Sequence, residues 1–133
     1  MKKIVGGMPI ANRLLAALPR ADRERMRTML EPVTLNFGDV LCEPGDPIRH
    51  VYFPNDSLVS LLTPVDRQHL LEVGLVGYEG MVGTALALGI AVTPVRALVQ
   101  GTGSATRMGA ATFRKEFQQS LRLQREVHLY IHA

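Results

Sequence analysis

One cysteine, Cys42, is the only thiol in this 133-residue sequence. That excludes an internal disulfide, a cysteine zinc knuckle and a cysteine-ligated iron–sulfur cluster, each of which needs several thiols. Cys42 is expected to be a small, mostly buried packing residue. Long hydrophobic runs are missing too. The longest uncharged apolar stretch, Thr84 to Val95, is too short to span a bilayer and contains Gly89 and Pro94. Lys2 and Lys3 precede apolar residues, but Asn12 and Arg13 interrupt them and no small-residue cleavage site follows. A soluble protein of the reducing cytoplasm is therefore expected, with no membrane partner. Ser57, Ser60, Ser104 and Ser120 lack a nucleophile-elbow context, and no His/Asp pairing stands out, so no enzyme is expected. Internal repeats and low-complexity segments are absent.

The length suits one compact domain over residues 1–133, with about two-thirds of the unfolded surface buried. The formal charge of +3 hides a split: residues 1–27 are basic, residues 28–106 acidic and residues 107–133 basic again. A nucleic-acid binder gathers its basic charge on one face, and this distribution does not. The basic segment Arg20 to Arg27 also contains Asp22 and Glu24 and no aromatic residue, which marks a solvated helix face.

Periodicity divides the chain into three. Residues 10–30 read as helical: Asn12 caps a short helix carrying Leu14, Leu15 and Leu18, Pro19 stops it, and Asp22 to Leu30 forms a second. Residues 31–108 read as short strands: Val33–Phe37, Asp39–Cys42, His50–Phe53, Leu58–Thr63, His69–Val76, Val95–Gln100 and Ser104–Met108. Turn chemistry such as Glu43-Pro44-Gly45-Asp46-Pro47 separates them. A short Gly-flanked helix, Gly80 to Leu88, interrupts the series. Residues 109–133 read as one long helix, with Phe113, Phe117, Leu121, Gln124, His128 and Ile131 in one stripe and Leu123, Val127 and Tyr130 widening it. The expected architecture is mainly β with flanking helices: a double-stranded β-helix, or jelly-roll β-roll, with N-terminal helices, a short inserted helix and a C-terminal helix.

Two segments carry a resemblance. Leu35-Asn36-Phe37-Gly38-Asp39-Val40-Leu41-Cys42-Glu43-Pro44-Gly45-Asp46, continuing to His50-Val51-Tyr52-Phe53, resembles the opening of the cyclic-nucleotide-binding domain. In such a roll Gly38 and Gly45 would take positive φ at tight corners. Gly77-Tyr78-Glu79-Gly80-Met81-Val82-Gly83-Thr84-Ala85-Leu86, followed by Pro94 to Val99, is similar to that domain's phosphate-binding cassette, here residues 77–97. The wording of both segments is most like the N-terminal sensor domain of bacterial Crp/Fnr-type transcription regulators.

The resemblance implies a ligand site at Gly83, Thr84, Ala85, Val95, Arg96 and Ala97. It implies a homodimer through Phe117, Leu121, Gln124, His128 and Ile131 of the last helix. The family cassette grips phosphate with backbone amides and an arginine, and holds the ribose with a glutamate. In this sequence Gly83 matches the glycine, Thr84 stands at the glutamate position, and the arginine position falls on Val95 with Arg96 one residue later. Alternate residues of a strand point to opposite faces, so Arg96 is expected to point away from the pocket. Glu79, in the preceding turn, is read as a solvated turn residue. A cyclic nucleotide is thus disfavoured as ligand, and another small or anionic ligand, or none, is expected. His128 and His132 have i, i+4 spacing, but there is no glutamate between them and no third ligand nearby, so no metal is expected. The full-length family regulators bind DNA through a helix-turn-helix after the long helix. No such segment follows here, so no DNA binding by this chain alone is expected. The alternative reading is a stand-alone β-roll used as a binding or interaction module.

Overall fold

The structure is a computed structural model that describes residues 4–5, 8–9 and 12–132. Its elements in order are β1 (Ile4–Val5), β2 (Met8–Pro9), α1 (Arg13–Ala16), α2 (Arg20–Arg27), β3 (Glu31–Leu35), β4 (Val40–Cys42), β5 (His50–Pro54), β6 (Leu58–Pro64), β7 (Leu70–Val76), a 3-10 helix (Thr84–Leu88), β8 (Arg96–Gly101), β9 (Gly103–Gly109), α3 (Ala110–Gln119) and α4 (Leu121–Ile131). Beside the small β1–β2 pair, a three-stranded sheet of order β3-β9-β5 faces a four-stranded sheet of order β4-β8-β6-β7. All pairings are antiparallel. This is the expected β-roll with flanking helices.

Alternation along β5 explains the layering. Val51 and Phe53 point one way, into a core shared with Leu14, Leu15, Leu18, Phe113, Leu123 and Val127 of the helices. Tyr52 points the other way, between the sheets, where Val59, Val76, Ala97, Val99 and Ala105 meet it. A strand buried on both faces reads as a continuous apolar run, and Val51-Tyr52-Phe53 does so. The three-stranded sheet is therefore the middle layer, with helices outside and the roll interior inside.

Local chemistry sets the corners. Gly38 (φ 88°) and Gly45 (φ 90°) take the left-handed conformation that a side chain would resist. Asp39 and Asp46 brace the same turns, each accepting from the amide three residues earlier, Asn36 and Glu43. Asn12 caps α1 as expected, accepting from the Leu15 amide.

Two helical expectations change. The segment Gly80 to Leu88 is helical only from Thr84, and as 3-10 rather than α geometry, between the positive-φ glycines Gly83 and Gly89. The single long helix over 109–133 is two helices. Ser120 adopts extended geometry (φ −110°, ψ 107°), and its hydroxyl accepts from the Leu123 amide to begin α4 afresh. The apolar period hides this break, because Phe117 and Leu121 keep helical spacing across a residue that is not helical.

Candidate functional site

A cavity of about 760 Å³ opens between the roll, the 3-10 helix and the end of α4. Leu41 and Cys42 of β4, the 46–49 turn, and His50 and Tyr52 of β5 form one side. Met81 to Ala85 and Thr93 to Val95 form the other, and Tyr130 and Ile131 close one end.

Gly83, Thr84, Ala85 and Val95 all lie in this wall, so the structure brings together four of the residues expected to bind ligand. Gly83 has φ 105°, and a Cβ there would press on the Val51 side chain, so glycine is required on both counts. Arg96 and Ala97 do not line the cavity. Ala97 is buried between the sheets. Arg96 points outward and its Nε donates to Glu43 Oε1 at 2.5 Å, an ion pair at the half-exposed surface. The alternation expected from sequence operates here: Val95 and Ala97 face inward, Arg96 outward.

The wall opposite the cassette was not anticipated as part of the site. His50 and Tyr52, two residues apart on β5, share the inward face, with ring centroids 6.2 Å apart. The period-two pattern of His50-Val51-Tyr52-Phe53 carries that signal. Burial lowers the pKa of His50, with the charges of Arg107 and Arg49 acting in the same direction and Glu31 opposing. Cys42 is half-buried rather than fully packed, and its thiol points at the Thr93 hydroxyl at 3.6 Å. The Thr93 hydroxyl in turn donates to the Val95 carbonyl at 2.8 Å.

The stripe expected to form a dimer divides. Ile131 lines the cavity. Phe117 is half-buried, stacked on Phe113 with centroids 5.7 Å apart and met edge-on by His128. The Gln124 side chain donates to the Phe117 carbonyl. Leu121 is 78% exposed, and His128 is also exposed. Glu79 is exposed and accepts from the Gly77 amide at 3.1 Å, a turn residue as read from the sequence. Among the described residues no helix is long and apolar enough to cross a membrane, and no cluster of metal-ligating side chains forms.

No family model matches the chain, and no curated protein matches it in sequence. Solved structures do match in three dimensions. The N-terminal domain of a transcriptional regulator from Streptomyces coelicolor A3(2) aligns with a TM-score of 0.70 at 18% identity, over 92% of this chain and 87% of that one. The catabolite activator protein of Thermus thermophilus aligns with a TM-score of 0.73 at 12% identity, over 90% of this chain and 56% of that one. The regulatory subunit of a cAMP-independent protein kinase A from Trypanosoma brucei aligns with a TM-score of 0.66 at 13% identity, over 85% and 45%.

The chain has the fold of a cyclic-nucleotide-binding domain.

The chain spans a little over half the length of the catabolite activator protein and less than half that of the kinase subunit. Of the segment expected as the cassette, residues 77–97, Met81 to Ala85 and Thr93 to Val95 lie in the cavity wall, and α4 adds Tyr130 and Ile131.

Proposed function

We propose that this chain is the ligand-sensing regulatory domain of a Crp/Fnr-type transcription regulator, acting in the cytoplasm without catalysis, and that its cassette is degenerate for cyclic nucleotides. The observation that carries this reading is the placement of Val95 in the cavity wall while Arg96 is paired outside with Glu43. A phosphodiester entering the cavity would meet a valine where the family uses a guanidinium. The arginine that does line the cavity, Arg49, sits on the exposed 46–49 turn with Asp46, so a phosphate buried against Val95 would lack a cationic partner there and is disfavoured. Thr84 offers a hydroxyl to a ribose but neither the charge nor the reach of a carboxylate. The fold is compatible with such a change, since one protein sharing it is described as cAMP-independent.

Tyr130 and Ile131 belong at once to α4 and to the cavity wall, so occupancy would bear directly on that helix. In this reading α4 passes the change to a second copy through its exposed side, Leu121 and Leu129. This chain by itself does not read DNA sequence. Two of the four arginines of α2 are engaged, Arg25 with Glu116 and Asp22, and Arg27 with Glu24.

Isothermal titration with cyclic AMP and cyclic GMP tests the reading, the expected result being no binding in the low-micromolar range. Low-micromolar affinity for either would overturn the degenerate cassette. A mobility shift surviving about 0.2 M salt would overturn the absence of DNA recognition, because non-specific phosphate attraction weakens steeply with salt.

A further inference from the structure

The polarity of the cavity wall narrows the ligand class. Apolar side chains come from every side: Leu41, Ile48, Leu61, Met81, Val95 and Ile131. Fully charged side chains come only from the exposed 46–49 turn, where Asp46 and Arg49 have opposite signs and add no net charge. Asp46 also spends a carboxylate oxygen on the Glu43 amide. Such a wall does not repay the desolvation of an anion.

Most polar groups in the wall already have partners. Thr93 bonds the Val95 carbonyl, Tyr52 bonds Arg107, and Tyr130 receives a backbone hydrogen bond from Met81. Two do not. The His50 imidazole and the Thr84 hydroxyl have no hydrogen-bond partner among the described residues, and they stand in different walls, one on β5 and one at the start of the 3-10 helix. Neither is sealed from the open space, since among the described residues the one side-chain oxygen or nitrogen found buried without a partner is Thr106 Oγ1, elsewhere in the fold. The volume, about 760 Å³, lies within the usual range for a small-molecule site.

We propose that the cavity takes an uncharged, predominantly apolar small molecule bearing one hydroxyl or carbonyl group, which His50 and Thr84 bond while Leu41, Leu61, Met81, Val95 and Ile131 enclose the rest. This deepens the sensor reading above and rests on it. His50 suits the role because its burial, with Arg107 and Arg49 nearby, keeps the ring neutral, so it offers both a donor and an acceptor nitrogen. Thr84, which weakens the case for a ribose phosphate, is well suited to a lone hydroxyl or carbonyl.

The test is displacement of Nile red, an uncharged apolar dye with a carbonyl group, from the 133-residue protein at pH 7.5. The competitors are 4-butylphenol, 4-butylbenzoate, butylbenzene and cyclic AMP. The expected order places 4-butylphenol about ten-fold ahead of both butylbenzene and 4-butylbenzoate. Thr84→Val and His50→Leu, made separately, each cut the phenol's advantage over butylbenzene about five-fold and leave butylbenzene unchanged. Ala85→Phe, which fills the cavity, abolishes dye binding. Preference for the benzoate, or dye binding retained in Ala85→Phe, overturns the ligand class while leaving the sensor reading in place. Displacement by low-micromolar cyclic AMP overturns the degenerate cassette beneath it. Failure of the native protein to bind the dye overturns the ligand class.

Discussion

The ring of Tyr130, near the end of α4, lies directly on the α-carbon of Gly80 in the cassette turn, where even a methyl group would occupy the ring's space. Burial, then the charge of Glu79, raises the pKa of the Tyr130 phenol, while a backbone hydrogen bond from Met81 acts against them. The phenol therefore stays protonated through the physiological range, and the contact is a neutral, packed one.

Gly80→Ala should push that ring out of its seat and destabilise the fold by about 1–3 kcal/mol, the usual cost of overpacking. Thermal unfolding of Gly80→Ala, Tyr130→Ala and the double variant checks this. The double variant should lose clearly less than the sum of the singles, because without the ring the added methyl meets no obstacle. Strict additivity would show that the ring does not seat there.

Asn12 is only 1% exposed and makes three hydrogen bonds: it caps α1, and its Nδ2 donates to the carbonyls of Pro54 and Gly80, each at 2.8 Å. Asn12→Ala leaves two buried carbonyls without this donor and α1 without its cap, a loss of about 2–4 kcal/mol. Asn12→Asp retains a capping oxygen but turns a carboxylate toward the same two carbonyls. Urea unfolding should find it no more stable than the alanine variant. A milder aspartate variant would mean that the cap alone matters.

Much of this architecture was legible from alternation and punctuation. The strand segments were placed to within about two residues, because turn residues such as Gly, Pro, Asn and Asp separate them. Gly83 and Thr84 were located in the site through their motif, and the outward turn of Arg96 followed from the placement of Val95. The opposite wall is not legible as a site from sequence, because His50 looks like any partly buried strand histidine until the roll brings it to the cavity. The break at Ser120 was hidden as well. Its cause is a side chain that competes for the Leu123 amide, and hydrophobic spacing is blind to that. Ile131 illustrates the same limit, since an apolar helical residue can serve a partner helix or a cavity, and only packing decides.

Acid sensitivity follows from His50. Its folded-state pKa lies below the ordinary 6.5, so on acidification the unfolded chain takes up the proton first. The stabilising contribution is complete above pH 6.5 and is lost as pH falls through that value toward the lower, folded-state one. Thermal unfolding measured from pH 8 to pH 5 should decline in this window, and His50→Gln should flatten the decline. The charged neighbours Arg107, Arg49 and Glu31 remain in that variant, so an unchanged slope would assign the effect elsewhere.

Self-association through α4 predicts a concentration-dependent sedimentation coefficient. Leu121 (78% exposed) and Leu129 (57% exposed) have no apolar covering in the isolated chain. Leu121→Glu combined with Leu129→Glu should yield a monomer at all concentrations whose unfolding midpoint no longer depends on protein concentration, because both side chains are exposed in the isolated chain. A dimer that survives both substitutions would place the interface elsewhere.

The joint between α3 and α4 has a mechanical consequence. Ser120 is held on both sides: its amide donates to the Glu116 carbonyl and its hydroxyl donates to Asp22, while Arg25 ties Asp22 to Glu116. The pivot is thus anchored to α2, and the 11-residue α4 extends from it like a lever arm of about 16 Å, with Tyr130 and Ile131 near the tip. A push of about 1 Å on that tip turns such an arm by about 4°. Because Leu121 lies beside the pivot and Leu129 near the tip, the same rotation barely moves one contact residue and sweeps the other, converting a small displacement inside the cavity into a change of angle between two helices.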